Sequence, residues 1–404
     1  MSTIDHQARP PRALPSVPVL SPASFFQRGG ASLPSLLDAA AVRMVTSGRI
    51  AIGLALREIG VGPGHTVLVP AYHSPSMIPP VHWCGAAVVF YRVRPDSTID
   101  LEDIAAKLDG SVKAVMATHF FGFPQDLRGL RALCDAHGAM LLEDCAHAFF
   151  GHHAGTPVGS TGDYAIGSSM KFYPVYEGGC LVSHRHPLGI PLRSAGPGFE
   201  AKAALAALEM AFAHGRLPVL RLALSLPLRL KSALWKALKS RRSANGAAPA
   251  LAPDSSDSSY NFDPRWLDKR SSLFSRLTVR LAARARIVAL RRRHYLQLQQ
   301  ALDGLVGCRP LHPALPEGAC PWIFPLLVDQ ADAVAASLQA AGVPMVRFGA
   351  SLWPGVDAAT CANSVALGRQ LIGLPCHQEL RTAELERLRT VLRRALGATP
   401  ALAA

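Results

Sequence analysis

The stretch from Glu143 to Gly179 reads EDCAHAFFGHHAGTPVGSTGDYAIGSSMKFYPVYEGG. Asp144 stands just past an apolar run, Ala139 to Leu142. Lys171 follows 27 residues later, ahead of the glycine pair Gly178-Gly179. Phe172, Tyr173 and Tyr176 surround the lysine with aromatic side chains. A lysine amine can condense with a carbonyl, and an acid can hold a pyridinium nitrogen protonated. Together these are the minimum that pyridoxal phosphate (PLP) chemistry needs from a protein. Lys171 is therefore the candidate cofactor lysine and Asp144 its candidate ring-nitrogen partner.

Other residues are candidates to complete such a site. His147, three residues beyond Asp144, has the reach to touch a cofactor ring or its oxygen; a structural histidine is the plainer reading. Ser47-Gly48-Arg49 opens a helix-like run, IAIGLALREIG. Backbone amides at a helix start can take a phosphate, and Arg49 adds charge. Ser168 offers a hydroxyl. Tyr72 and His73 follow the apolar run TVLVP, and His119 lies in THFFGFP. Each stands at the end of a strand-like run, where it either meets a ligand or fills the core. His152 and His153 are adjacent, and neighbours rarely share one ligand face, so no metal site is assigned. Cys145 reads as packing. No P-loop, GxSxG or HExxH motif is present.

The elements that would position these residues alternate. Strand-like runs fall at 66–70, 86–93, 112–119 and 139–143, with helical segments at 74–83, 101–108 and 126–137 between them. Strands spaced by helices predict a parallel α/β sheet with right-handed crossovers, whose ligands bind beyond the carboxyl ends of the strands. Tyr72, His73, His119, Asp144, His147 and Ser168 to Lys171 all fall at those ends, and the topology predicts that they converge. Four regions follow. Residues 1–44 form a Pro-rich arm that lies on a partner subunit or on the body, or frays. Residues 45–199 form the large domain. Residues 200–264 form a basic helical insertion with a flexible loop at 243–259. Residues 265–404 hold a long helix, 266–303, and a smaller C-terminal α/β domain with strands IFPLLV and VPMVRF and a last helix at 381–396.

The 404 residues suffice for a large core, and 49% hydrophobic with 17% charged residues is a globular composition. The eight cysteines are scattered without a CxxC pair, which predicts reduced, buried thiols in a cytoplasmic protein. We find no signal-peptide pattern and no bilayer-spanning window. The net charge of +14 is concentrated: residues 210–253 hold eight Lys/Arg and no acid, and residues 265–293 hold ten Lys/Arg against Asp268. Such fields favour anionic partners. For the insertion, the plain reading is helices packed on the body; the sharper one is an amphipathic surface peripheral to the inner, anionic face of a membrane. Nucleic acid fits less well, because the basic clusters lack interleaved aromatics.

Taken together, these pieces resemble the DegT/DnrJ/StrS family of PLP-dependent sugar aminotransferases, in family order. SGRIAIGLALREIGVGPGHTVLVPAYH resembles its phosphate-binding helix and following strand, and GAAVVFYRVRPDSTIDLEDI its second strand. HFFGFPQDL resembles its His-aromatic-aromatic-Gly segment. EDCAHAFFGHHAGTPVGSTGDYAIGSS and Lys171 with Glu177-Gly178-Gly179 resemble its acid, Gly-Asp and Schiff-base segments. The resemblance runs from about Ser47 to Ser183 and returns weakly at the C-terminus. It implies a fold type I PLP-transferase: a large, mostly parallel central sheet flanked by helices, plus a smaller C-terminal α/β domain. It implies transfer of an amino group, usually from glutamate, to a keto-sugar on a nucleoside diphosphate, feeding polysaccharide or glycolipid assembly. It implies a homodimer with the active site at the interface. By analogy, Lys171 links the cofactor and then moves the proton, Asp144 binds the pyridine nitrogen and His147 sits beside the ring. Ser168 and the Gly48-Arg49 amides hold the phosphate.

The chain departs from the family in several places, and the branch is a divergent one. Gly48-Arg49 stands where Gly-Thr is usual, and the Ser168–Lys171 segment is two residues short. No aromatic follows Pro70 in the usual place, so His73 or Tyr72 is expected to stack on the ring. Residues 200–259 have no counterpart. Two alternatives remain open: a PLP enzyme of another reaction type (a dehydratase, against which Lys171 argues, or a non-sugar transaminase), and a non-catalytic membrane-associated scaffold on the same fold.

Overall fold

The computed structural model describes residues 13–26, 32–225 and 261–397. The helical and loop expectations for 226–260 lie outside the described residues, as do residues 1–12 of the arm.

The chain enters the large sheet by β1 (Ala41–Val45), within the stretch read as arm. It continues through α1 (Gly48–Ile59), β2 (Thr66–Pro70), α2 (Ile78–Trp83), β3 (Ala87–Tyr91), α3 (Leu101–Lys107), β4 (Val112–Thr118), α4 (Arg128–His137) and β5 (Met140–Asp144). A two-stranded hairpin, β6 (His152–His153) and β7 (Thr156–Pro157), precedes β8 (Tyr164–Gly167) and β9 (Gly179–Ser183). Among the described residues, seven strands form the sheet in the order β1-β9-β8-β5-β4-β2-β3. The pairs from β8 through β5, β4 and β2 to β3 are parallel; β9 is antiparallel to both β8 and β1.

Side chains alternate across a pleated strand, so a sheet covered on both faces is apolar at consecutive positions. Leu141, Val115 and Ala165 fall in the core shared with the C-terminal domain. Leu142, Met116 and Ile166 fall in the core under α1. The cleft lies on the α1 face. Helix α1 starts where Ser47 Oγ accepts from the Ile50 N–H at 3.2 Å and stops at Gly60 in a left-handed conformation, φ 77°.

After β9 come α5 (Pro197–Ala213) and α6 (Pro218–Ala223), then α7 (Leu273–Leu281) and α8 (Arg284–Gln300). The long helix expected over 266–303 is thus two helices, parted at Ala282 and Ala283, whose backbones leave the helical region. At the break the Ala283 N–H donates to the Ser24 carbonyl of the N-terminal segment at 3.0 Å. The small domain has a three-stranded antiparallel sheet of β10 (Cys308–Pro310), β11 (Ile323–Val328) and β12 (Leu371–Pro375), with helices α9 (Ala331–Ala340), α10 (Ala358–Gln370) and α11 (Thr382–Gly397). VPMVRF is not a strand: Val346 makes a single bridge to Gly373, and the segment turns Phe348 into the cleft.

The described part of the arm packs on its own small domain. Ser21 Oγ and Ser24 Oγ donate to the Glu379 carboxylate at 2.7 and 3.1 Å. The Pro15 carbonyl meets His377 Nε2 at 3.0 Å. All eight cysteines are free, six of them buried. No helix among the described residues is long and apolar enough to cross a membrane.

Candidate active site

A cleft with about 550 Å³ of empty space opens beyond the carboxyl ends of β4, β5 and β8. Its lining brings together Gly48, Arg49, Asp144, His147, Ser168 and Lys171, all named from the sequence. Thr118, Met77 and Phe348 also line it.

Asp144 ends β5 and is 4% exposed. Its carboxylate accepts from the Ala146 N–H at 2.9 Å and from Thr118 Oγ1 at 3.4 Å. Thr118 is its registered partner on β4, so the two face the cleft side by side. Lys171 ends a 3-10 turn, Ser169–Lys171, that follows β8. It is 7% exposed, and its Nζ lies 4.5 Å from the centroid of the Trp322 ring. His147 stacks on Trp322 at 4.0 Å and 27°, and meets Phe348 edge-on at 5.0 Å. Burial holds the imidazole well below its ordinary pKa, and the nearby Lys171 charge adds to this. The ring is therefore neutral at pH 7, and its Nδ1 has no hydrogen-bond partner among the described residues.

The helix start and the lysine turn are locked together by glycine. A Cβ on Gly179 would lie 2.4 Å from the Ser47 carbonyl carbon and 2.6 Å from the Gly48 nitrogen. Only glycine lets β9 approach so closely. The first amides of α1 have no partner within the helix, which makes its N-terminus receptive to an anion. Arg49 is 8% exposed there, and its guanidinium donates to the Asn261 carbonyl. Glu177 is buried under three donors, with Ser271 Oγ at 3.0 Å, Ser272 Oγ at 2.8 Å and the Ser272 N–H at 3.0 Å.

Three sequence candidates lie elsewhere. Tyr72 is fully buried, with its hydroxyl donating to the Phe348 carbonyl at 3.1 Å. His73 stacks on Phe90 at 5.0 Å, and its Nε2 accepts from the Trp353 N–H at 3.0 Å. Neither reaches the cleft to stack on a ring there. His119 sits on the opposite face of the sheet, because the pleat that turns Thr118 toward the cleft turns its neighbour away. The Gln125 N–H donates to His119 Nδ1 at 2.9 Å, so the Nε2–H of the neutral ring donates to Glu143, also at 2.9 Å. Glu143 further accepts from the amides of Gly159, Thr161 and Gly162. Burial pushes Glu143 up, but His119 and these amides outweigh it and hold it below the usual carboxylate range. Donor atoms of His119, Glu143 and Cys145 lie within 4.8 Å of one another. Both His119 nitrogens and both Glu143 oxygens are already engaged by protein, so this group ties the segment after β7 to β5.

Sequence reasoning missed Trp322, Phe348 and Thr118. Thr118 was not legible: the run 112–119 is apolar on both faces, and only the pairing of β4 with β5 sets Thr118 opposite Asp144. Trp322 and Phe348 come from the small domain, where local sequence pattern says nothing about which loop reaches the large sheet.

The residues fit PLP. The cleft presents an amine, a carboxylate buried beside it, an orphaned neutral imidazole nitrogen between aromatic faces, and a helix N-terminus flanked by Ser47 and Ser168.

The chain is similar to known proteins over part of its length. The chain is 33% identical over 169 residues to GDP-perosamine synthase of Vibrio cholerae, covering 41% of this chain and 46% of that one. It is 33% identical over 138 residues to dTDP-3-amino-3,4,6-trideoxy-alpha-D-glucose transaminase of Streptomyces venezuelae, covering 34% and 36%. The matches thus span less than half the length of these curated relatives. Among solved structures, S. venezuelae DesV superposes with a TM-score of 0.61 at 21% identity over 92% of both chains. A DegT DnrJ EryC1 StrS aminotransferase from Brucella abortus gives 0.58 at 20%, over 89% of this chain and 87% of that one. The architecture is that of the fold type I aminotransferases. Residues 31–188 match the model of the DegT/DnrJ/EryC1/StrS aminotransferase family.

Proposed function

We propose that this protein is a PLP-dependent aminotransferase that moves an amino group from glutamate to a keto-sugar carried on a nucleoside diphosphate. The observation that carries this reading is that Lys171 and Asp144 share one cleft with the N-terminus of α1. Bound there, PLP supplies a carbonyl that condenses with amines and a ring that accepts the electrons released when a neighbouring C–H bond breaks.

The protein's part follows from its residues. Asp144 holds a proton on the ring nitrogen by ion pairing. Its own hydrogen bonds from Ala146 and Thr118 fix the carboxylate for that task. His147, held neutral with its Nδ1 unpartnered among the described residues and braced by Trp322 and Phe348, would sit beside the ring. The amides of Gly48 and Arg49, with Ser47 and Ser168, receive the phosphate. Lys171 first holds the cofactor, then carries a proton at Nζ to and from the substrate carbon.

The sugar-nucleotide assignment draws on the names of the relatives and on the excess positive charge, which suits a diphosphate. A homodimer is supported by the exposed stripe of Leu273, Leu277 and Leu281, one helical turn apart on α7. Contact with an anionic membrane face is supported by exposed Val219 and Leu222 beside Arg221 on α6.

The test is a half-reaction. Glutamate added to the PLP-loaded protein should bleach the visible band to that of the amine form, and a nucleotide-linked keto-sugar should restore it. A band that glutamate leaves unchanged sinks the glutamate assignment. A band that no panel of nucleotide-linked keto-sugars restores sinks the acceptor assignment.

A further inference from the structure

Lys171 is held at both ends by residues outside the stretch that matches the family. Trp322 stands on the segment leading into β11. Its indole lies beneath Lys171 Nζ, stacks on His147, and is 8% exposed. Its backbone is fixed on two sides: its N–H donates to the Phe121 carbonyl at 2.8 Å, and its carbonyl accepts from Arg291 Nη1 at 3.0 Å. Gly122, at φ +97°, permits this approach, since a Cβ there would lie 2.7 Å from the Trp322 nitrogen. Arg291 is fully buried. Its Nη2 donates to the Lys171 carbonyl at 2.7 Å and its Nε to Gln378 Oε1 at 2.9 Å. The Gln378 amide in turn donates to the Phe172 carbonyl at 2.8 Å. One guanidinium therefore spans the backbone of the lysine and the backbone of the indole.

We infer that Trp322 is a positioning residue for Lys171: its indole face is the resting place of the lysine ammonium while Nζ carries the proton and is not bonded to the cofactor, and Arg291 sets the spacing. The inference rests on the reading of Lys171 as the cofactor lysine. Such a lysine is displaced when an incoming amine takes its place, and must then act from within the cleft. A free lysine side chain has four rotatable bonds and is drawn toward water. A cation over an indole face is attracted by the ring, most strongly where water is excluded. His147, held neutral on the same indole, adds no competing charge.

The test uses the full chain with Trp322→Phe, Trp322→Leu and Lys171→Met. In cofactor-free protein, Lys171→Met should alter the tryptophan emission when Trp322 is present and leave it unaltered in the Trp322→Phe background. On adding PLP, the Leu variant should form the lysine linkage about tenfold more slowly than wild type, while Phe, which keeps an aromatic face, should stay within about threefold. Melting temperatures of both variants show whether the fold is kept. Emission indifferent to Lys171 overturns the inference, and so does a folded Leu variant that links the cofactor as fast as the Phe variant. The emission arm needs no cofactor, so it decides the contact separately from whether Lys171 is the cofactor lysine.

Discussion

Asp144 and Glu143 are adjacent carboxylates on β5, and the pleat sends them to opposite faces. Asp144 opens to the cleft beside Thr118; Glu143 is consumed by His119 and three backbone amides. The two should part experimentally. Asp144→Asn should keep the fold and lower turnover by on the order of 10²-fold, because the ring nitrogen loses its ion partner. Glu143→Gln should leave the cofactor band in place and lower stability by about 1–3 kcal/mol, since a buried charged acceptor is replaced by an amide that presents a donor to other donors. Turnover and denaturation curves on both variants check this; equal turnover in the two contradicts it. Asp144 and Lys171 could be singled out in the sequence because an acid and a lysine are rare in such apolar and aromatic settings, and both line the cleft. The sequence could not rank His119 against Thr118. Residues 112–119 are apolar on both faces, so hydrophobic pattern carries no facing information there, and strand pairing decides.

At the scale of elements, the site depends on two turns meeting. The N-terminus of α1 and the Glu177-Gly178-Gly179 turn are far apart in sequence and touch at Gly179, where no Cβ fits. Gly179→Ala should push β9 off the helix start, destabilise the protein by about 1–3 kcal/mol, and weaken PLP binding more than that loss accounts for. Equilibrium PLP titration beside thermal melts measures both, and unchanged affinity contradicts the phosphate assignment. The α/β alternation of the large domain was legible from strand and helix spacing, and β2 falls where the sequence placed it. The break between α7 and α8 was not. Alanine is a good helix former, and what ends the helix there is a tertiary bond from the arm.

At the scale of the whole molecule, the small domain supplies Phe348 to the wall of the cleft and Trp322 behind its lysine and histidine, and the N-terminal segment straps that domain through Glu379 and His377. Burial lowers several histidines in this assembly: His73 and His294 to about 4 and His377 to about 3. The unfolded chain protonates these rings near pH 6.5. Between about pH 6.5 and 4 the unfolded state therefore binds more protons than the folded state, and stability falls as pH falls. Denaturant midpoints should be level above pH 7 and drop clearly by pH 5; a midpoint unchanged at pH 5 contradicts neutral burial. These tertiary couplings were the least legible part. A Pro-rich arm has no periodicity to read, and no local signal marks which domain it will cross.

The central claim is that Lys171 carries the cofactor in a cleft completed by Asp144. Visible absorbance of the purified protein with PLP, compared with Lys171→Ala, tests it most directly. The account predicts a lysine-linked band in the wild type that borohydride fixes onto the peptide containing Lys171, and no such band in the variant. The same band in Lys171→Ala, or borohydride labelling of a different lysine, would contradict it.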